Sequence, residues 1–170
     1  MSDGNSGFNA VFGGGGGVSS PTLTYGSFIS QLDQTIVAPL SPTQIALPTT
    51  FMSNGISVQT DGTIDFTANG VYMLEATINF FHSAPLTADT GYVWYQIGGF
   101  NIPDSTRLIR LNQNIFTNTL SVSYMFSLDY LTENIKLFFT ASSTDISIQY
   151  ANGGTNPNIS SVICNVFQIA

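Results

Sequence analysis

The sequence predicts an all-β protein, an antiparallel sandwich or jelly roll, and three observations lead to this fold class. From residue 22 onward, short runs rich in Val, Ile, Thr, Tyr and Phe alternate between apolar and polar side chains with a period of two. Gly, Pro, Asn and Asp separate these runs, as is typical of turns. No run of ten residues has the spacing of an amphipathic helix. Ten or so short strands without helical crossovers indicate an antiparallel sandwich or jelly roll.

The strands are predicted in order from these alternating runs and from the turn residues between them. The segments are residues 22–32, 44–47, 56–59, 63–66, 71–81, 91–97, 105–111, 119–128, 134–141, 145–150 and 161–169. Asp61-Gly62 marks a hairpin between the third and fourth segments, because Asp-Gly favours a tight turn.

Two of the long strands have one face that is clearly apolar. In residues 71–81 that face carries Tyr72, Leu74, Ala76, Ile78 and Phe80. In residues 119–128 it carries Leu120, Val122, Tyr124, Phe126 and Leu128. Side chains that alternate in this way point to one side of a sheet. We therefore expect both faces to lie in the core between two sheets.

Other strands are apolar on both faces, most clearly in residues 92–95, 137–139 and 162–164. A sandwich strand has only one inward face, so the second apolar face predicts burial against something outside the sandwich. We expect a subunit interface, because exposed apolar patches usually mark association sites. A loop or an arm folded over these faces is the alternative. The residues predicted at the interface are Met73, Glu75, Phe81, Met125, Phe139 and Phe167.

The first 21 residues are predicted to form an arm, separate from the jelly-roll domain of residues 22–170. The arm contains five consecutive glycines at 13–17, and its isolated apolar side chains include Phe8, Val11 and Phe12. Such a composition cannot offset its own ordering entropy as a free segment. The glycines lack the Lys-Ser/Thr of a phosphate-binding loop. We expect Phe8, Val11 and Phe12 to dock into another protein; a flexible terminus without a role is the alternative.

Composition and charge exclude several classes of partner. The 170 residues are 43% hydrophobic but only 8% charged, and three basic residues stand against ten acidic ones, for a net charge of −7. No cationic surface is available for nucleic acid or for an acidic lipid surface. No run reaches the length of a membrane-spanning helix, and no signal peptide is visible. With one cysteine, Cys164, the chain cannot form an internal disulfide, so we expect assembly in a cytosol.

The sequence offers no catalytic or metal-binding constellation. His82 is the single histidine, without a neighbouring ligand, and the nucleophile elbow of a hydrolase is missing. We therefore predict that the protein is not an enzyme and needs no metal and no cofactor. Glu75, a carboxylate in the middle of a strand, must be solvated or paired. Its partner could be Arg107, Arg110 or Lys136.

Several segments of the chain carry a family resemblance. Residues 53–59 and 61–76 include Gly70-Val71-Tyr72, which opens a long strand after a turn, and residues 93–97 are followed by Asn-Ile-Pro-Asp-Ser at 101–105. Residues 53–76 resemble the front half of the tumour necrosis factor-like or complement-head-like jelly roll. Residues 93–105 resemble the version of it that is common in bacteriophage and giant-virus structural proteins, and the closing strand at 165–169 is similar to the terminal central strand of that fold. The turn at Gly98-Gly99-Phe100 departs from the family, which often has a basic residue and Asn-Gly there.

The resemblance implies a ten-stranded jelly roll that forms a homotrimer. On this basis we expect a non-enzymatic structural protein of a virion, such as a minor capsid, spike or fibre-head component. It would be assembled in the host cytoplasm, docked through its arm, with other capsid or virion proteins as partners. A surface head domain that binds a ligand, host receptor or carbohydrate for attachment is the alternative. A glycan hydrolase is disfavoured, because no acid–base pair is evident.

Overall fold

A computed structural model describes residues 23–84, 88–112, 117–154 and 157–170 of the chain. In this part of the chain the structure has fourteen strands and no helix. The strands are β1 (Tyr25–Ser30), β2 (Gln34–Thr35), β3 (Thr43–Gln44), β4 (Thr49–Asn54), β5 (Ile56–Val58), β6 (Ile64–Phe66), β7 (Gly70–His82), β8 (Asp89–Ile97), β9 (Phe100–Asn101), β10 (Arg107–Leu111), β11 (Thr117–Leu128), β12 (Ile135–Ala141), β13 (Ile146–Ile148) and β14 (Val162–Gln168). None of the described segments is therefore a helix capable of crossing a membrane.

The strands form two seven-stranded sheets, and every pairing is antiparallel. In the first sheet, β7 is central: β11 pairs with one side of it, β14 and β13 with the other, and β1 and β4 follow beyond β14. In the second sheet the order is β10, β8, β12, β6 and β5, with β3 beside β12 and β9 beside β8. The two sheets confirm the predicted all-β sandwich.

The core lies between the sheets and is built by alternation along the strands. Tyr72, Leu74, Ala76, Ile78 and Phe80 of β7 are all buried, which confirms the predicted core face. From β11, Val122, Phe126 and Leu128 are buried and the other two predicted residues pack partly buried against them. Burying each large apolar side chain is worth about 1.5–3 kcal/mol, so these faces hold the sheets together.

The expected number of strands, ten, is too low. The predicted segments miss β2 and β9, which have two residues each, and the segment predicted at 44–47 corresponds to the two-residue β3. The sequence does not predict β4 either, because all six of its residues are exposed and apolar and polar side chains do not alternate along it. β4 is an edge strand that pairs only with β1.

Gly70 explains the Gly-x-Tyr motif in physical terms. Its φ is +154°, and a Cβ atom there would collide with the side chain of Gln168 and the carbonyl oxygen of Ala170. Two residues later the buried Tyr72 donates a hydrogen bond from its hydroxyl to the carbonyl oxygen of Ala68, at 2.7 Å. The motif therefore allows the end of the chain to lie close against the start of β7.

Candidate interaction surface

The outer side of the first sheet carries an apolar row that crosses four strands. Met125 of β11 pairs with Met73 of β7, Met73 pairs with Phe167 of β14, and Phe167 pairs with Tyr25 of β1. Met125 is 56% exposed, Tyr25 39% and Phe167 36%, and Met73 is half-buried. Four large side chains in one register therefore form a continuous exposed apolar strip.

A second apolar pair lies four residues farther along the same face. Ile163 of β14 pairs with Ile29 of β1 on one side and with Thr77 of β7 on the other. Ile163 is exposed and Ile29 is half-buried. The outer face of β11, β7, β14 and β1, which carries this pair and the apolar row, is called the interaction surface.

A polar row separates the two apolar parts of this surface. It runs through Ser123, Glu75, Asn165 and Ser27, which are paired across the four strands. The hydroxyl of Ser27 donates a hydrogen bond to Oδ1 of Asn165 at 2.7 Å. Glu75 is exposed, and it is the one Asp, Glu, Lys or Arg residue in these four strands. A single carboxylate thus lies in the middle of an otherwise neutral face.

A shallow groove runs beside Glu75 between β7 and β11. It has a volume of about 240 Å³ and is lined by Glu75, Ala76, Thr77, Ser121, Val122 and Ser123. The groove exists because the side chains of β11 that face outward here are small. The hydroxyls of Thr77 and Ser121 lie 3.5 Å apart, within reach of one another. The groove therefore combines one carboxylate with several hydroxyl groups.

The structure brings four of the predicted interface residues together and separates the other two. Met73, Glu75, Met125 and Phe167 all lie on the interaction surface. Phe81 lies six residues beyond Glu75 on β7, opposite Thr117, and lines a separate crevice of about 250 Å³.

The prediction of Phe139 at a subunit interface is wrong. Phe139 is fully buried, and its ring lies 6.5 Å from that of Phe80 in the core. Of the two adjacent phenylalanines, Phe138 is the one that faces outward. Because both residues are phenylalanine, alternation alone could not decide which of them points inward. The predicted docking residues Phe8, Val11 and Phe12 lie outside the described residues.

Three further residues of the interaction surface, Tyr25, Ile29 and Ile163, are not among those predicted from the sequence. Ile163 could have been found from the alternation within β14, because it lies on the same side of the strand as Phe167. Tyr25 and Ile29 occupy one face of β1 in the same way, but their place beside β14 depends on a pairing between distant parts of the sequence.

The outer side of the second sheet has an aromatic pair of its own. The rings of Trp94 and Phe138 stack with centroids 5.7 Å apart and planes 18° apart. Trp94 Nε1 and Gln96 Nε2 each donate a hydrogen bond to Oδ1 of Asn101, at 2.8 Å. Trp94 and Phe138 are both half-buried. The stacked pair accounts for the second apolar face of β8 and β12. Its aromatic rings lie beside the amide groups of Gln96 and Asn101.

The histidine lies in a buried pair at the end of β7. His82 is fully buried, and its Nε2 lies 3.1 Å from Oδ2 of Asp89. Oδ1 of Asp89 accepts a hydrogen bond from Ser142 at 2.8 Å. Since Ser142 donates to the carboxylate and not to the imidazole, this hydroxyl is not arranged as an activated nucleophile. Among the described residues, no group of three or more His, Cys, Asp or Glu side chains could hold a metal.

Comparisons with known proteins identify the fold. No protein-family model matches the sequence, and no curated protein matches it. Three crystal structures of murine APRIL, at pH 5.0, 8.0 and 8.5, each match over 87% of this chain and 100% of their own, with 10% sequence identity. Their TM-scores are 0.52, 0.57 and 0.54. The chain therefore has a tumour necrosis factor-like jelly-roll fold, which bears out the fold that the sequence resemblance implies.

Proposed function

We propose that the protein is a non-enzymatic structural component of a virus particle, and that its jelly roll forms a homotrimer through the interaction surface. The observation that carries the proposal is the exposed apolar row of Met125, Met73, Phe167 and Tyr25. A large contiguous apolar patch is uncommon on a soluble monomer and marks an association site. In an obligate oligomer, such a face resembles a domain core that has been cut in half.

The low charge of the chain supports the same proposal. Only 8% of the residues are charged, against roughly 25% in an ordinary soluble domain. A surface with so few charged residues favours a permanent oligomer over a free monomer. The number three is taken from the tumour necrosis factor-like resemblance and is part of the proposal.

The virion assignment rests on the resemblance of residues 93–97 and 101–105 to the version of this fold that is common in phage and giant-virus structural proteins. In this proposal residues 1–21 dock the trimer to other capsid or virion proteins. Phe8, Val11 and Phe12 provide the apolar anchors, and three arms on one trimer raise the effective concentration of each contact. The particle would be assembled in the host cytoplasm.

Deletion of residues 1–20 tests the proposed role in the particle. We expect the shortened chain to remain a trimer but to be missing from purified particles, as measured by quantitative mass spectrometry. A second variant replaces Phe8, Val11 and Phe12 with serine in the full-length chain. It should also be missing from the particles, because the apolar anchors are removed while the length of the arm is kept. Normal incorporation of both variants would contradict docking through the arm.

A surface head domain that binds carbohydrate is the second candidate, and the pair of Trp94 and Phe138 favours it. Aromatic rings beside the amides of Gln96 and Asn101 can contact the apolar side of a sugar and hydrogen-bond its hydroxyls. A glycan array tests this function. Binding that is lost in Trp94→Ala and kept in Phe100→Ala, an exposed aromatic residue nearby, would favour it over the structural role.

A further inference from the structure

We propose that Glu75 of one copy binds Arg107 of a neighbouring copy, and that the guanidinium lies in the groove between β7 and β11. This inference rests on the proposed self-association through the interaction surface, and it names the polar contact that this association would contain. Four observations support it: the position of Glu75, the placement of the cations, the pairing of each cation within the chain, and the chemistry of the groove.

The first observation is the isolation of Glu75 on a neutral face. Its neighbours across the strands are Ser123 and Asn165, and apolar residues lie on either side of that row. When such a face is covered by another chain, the carboxylate loses its water. A buried charge without a partner strongly opposes association, so the covering surface must supply a cation or several hydrogen-bond donors.

The second observation is that no cation of the same chain is on this face. The sequence has three basic residues, Arg107, Arg110 and Lys136. The first two are in β10 and the third is in β12, so all three belong to the second sheet. Within the residues that the structure describes, neither Glu75 nor Arg107 makes an ion pair. In the single chain Glu75 is exposed to water, so a cation that pairs with it would come from another copy.

The third observation distinguishes Arg107 from the other two cations. The charge of Lys136 acts on Asp61, whose pKa is lowered mainly by hydrogen bonds with Thr63 and further by this lysine. Arg110 lines a crevice together with Asp89.

Among the described residues, Arg107 donates to two backbone carbonyls and to no side chain; the carbonyls are those of Asp104 at 2.9 Å and Thr106 at 3.1 Å. It is exposed on β10, an edge strand of the second sheet that contacts β11. The guanidinium of Arg107 is therefore available, at the side of the sandwich, to pair with a carboxylate of another copy.

The fourth observation is the chemistry of the groove beside Glu75. A guanidinium is planar and has five N–H donors, so it can bind a carboxylate and also donate to neighbouring oxygen atoms. The hydroxyls of Thr77, Ser121 and Ser123 line the groove, and its volume of about 240 Å³ leaves room for a long side chain. Apart from Glu75, the residues that line it are Ala, Thr, Ser and Val, which have small side chains.

The same charge restricts how two copies can meet. A two-fold contact between identical faces would bring one Glu75 towards the other and bury like charges. If the edge of one copy, with Arg107, lies on the face of the next copy, with Glu75, opposite charges meet instead. Such a contact is heterologous and closes into a ring when the rotation allows it.

A charge exchange in the full-length chain tests the pairing. The variants are Glu75→Arg, Arg107→Glu and the double variant, and analytical ultracentrifugation gives the protein concentration at which each oligomer is half dissociated. We expect each single substitution to raise that concentration by more than about tenfold, because it leaves like charges facing each other. The double variant should return to within about threefold of the wild type. Thermal unfolding of each variant checks that the jelly roll is intact.

The chain provides its own controls, because Arg110→Glu and Lys136→Glu make the same change of charge at other positions of the second sheet. Both should leave the midpoint within about threefold of the wild type, and neither should rescue Glu75→Arg. The pairing would be overturned if the midpoint of the double variant stayed raised, or if Arg110→Glu or Lys136→Glu restored the midpoint of Glu75→Arg. Neither result would contradict the oligomer itself. A wild-type chain that is monomeric at all concentrations would overturn the proposed trimer and this pairing together.

Discussion

Met73 of β7 pairs directly with Phe167 of β14, and both side chains project from the outer side of the first sheet. Each of these strands has buried residues on its other face, so the apolar residues on this side are not needed to close the core. The pairing makes two residues that are 94 positions apart in sequence parts of one exposed strip. This strip is the physical basis of the proposed self-association.

Replacing Met73 with lysine should dissociate the oligomer. A lysine there would place a charge inside the apolar row, where it would lose water, and the neighbouring carboxylate of Glu75 is already used in the proposed pairing with Arg107. We expect the midpoint of dissociation, measured by sedimentation equilibrium, to rise by more than about a hundredfold, since a buried unpaired charge costs several kcal/mol. Val37→Lys, at an exposed position outside the strands, serves as the control and should sediment like the wild type. Equal behaviour of the two variants would contradict the role of the apolar row.

Phe139 and Phe138 should differ sharply when each is changed to alanine. Phe139→Ala leaves a cavity in the core and should lower the free energy of unfolding by about 3–5 kcal/mol, measured by denaturant unfolding. Phe138→Ala should cost clearly less, because Phe138 is half-buried on the outer face against Trp94. If the two substitutions cost the same, the placement of β12 in the sandwich is wrong.

This pair of residues also shows how far sequence reasoning reaches. Where one face of a strand is apolar and the other mainly polar, as in β11, alternation predicts the core correctly. Where both faces are apolar, as in β12, the direction of each side chain depends on register, which is set by pairing with β8 and not by the local pattern.

The interaction surface could be predicted only in part, for the same physical reason. Met73, Met125 and Phe167 were found as single residues, but the row they form depends on antiparallel pairing between β11, β7 and β14. β4 was not predicted, since an edge strand with every residue exposed has no alternating pattern to detect. The charge of Glu75 was recognised from the sequence, whereas the separation of all three cations onto the other sheet required the topology.

The thiol of Cys164 should make stability depend on pH in the alkaline range. Burial raises the pKa of this thiol from 9.0 to about 12. Above about pH 9 the unfolded chain therefore releases the thiol proton while the folded chain keeps it, and unfolding becomes more favourable. This one group should lower the free energy of unfolding by about 1.4 kcal/mol per pH unit up to about pH 12.

Comparison with Cys164→Ala isolates this effect. In the alanine variant the decline of stability between about pH 9 and pH 12 should be shallower by the contribution of one proton. A thiol reagent at pH 8 should react with the wild-type protein only after denaturation. Rapid reaction of the native protein would show that Cys164 is accessible.

Gly62 should tolerate no side chain. Its φ is +91°, and a Cβ atom there would collide with the backbone carbonyl oxygen of Ile45. Gly62→Ala should therefore lower the free energy of unfolding by more than about 1 kcal/mol. Gly99→Ala is the matched control: it also has a positive φ, of +86°, but nothing lies within 4 Å of the new atom. Equal losses in the two variants would mean that backbone conformation alone, and not the contact with Ile45, sets the cost.

The mass of the full-length protein in solution tests the central claim most directly. Light scattering coupled to size-exclusion chromatography, at micromolar concentrations, should give about 55 kDa, three times the 18.2 kDa of the chain. That value should hold over a tenfold dilution, as expected for an obligate interface. A single species of 18.2 kDa across the same concentrations would contradict self-association through the outer face of the first sheet.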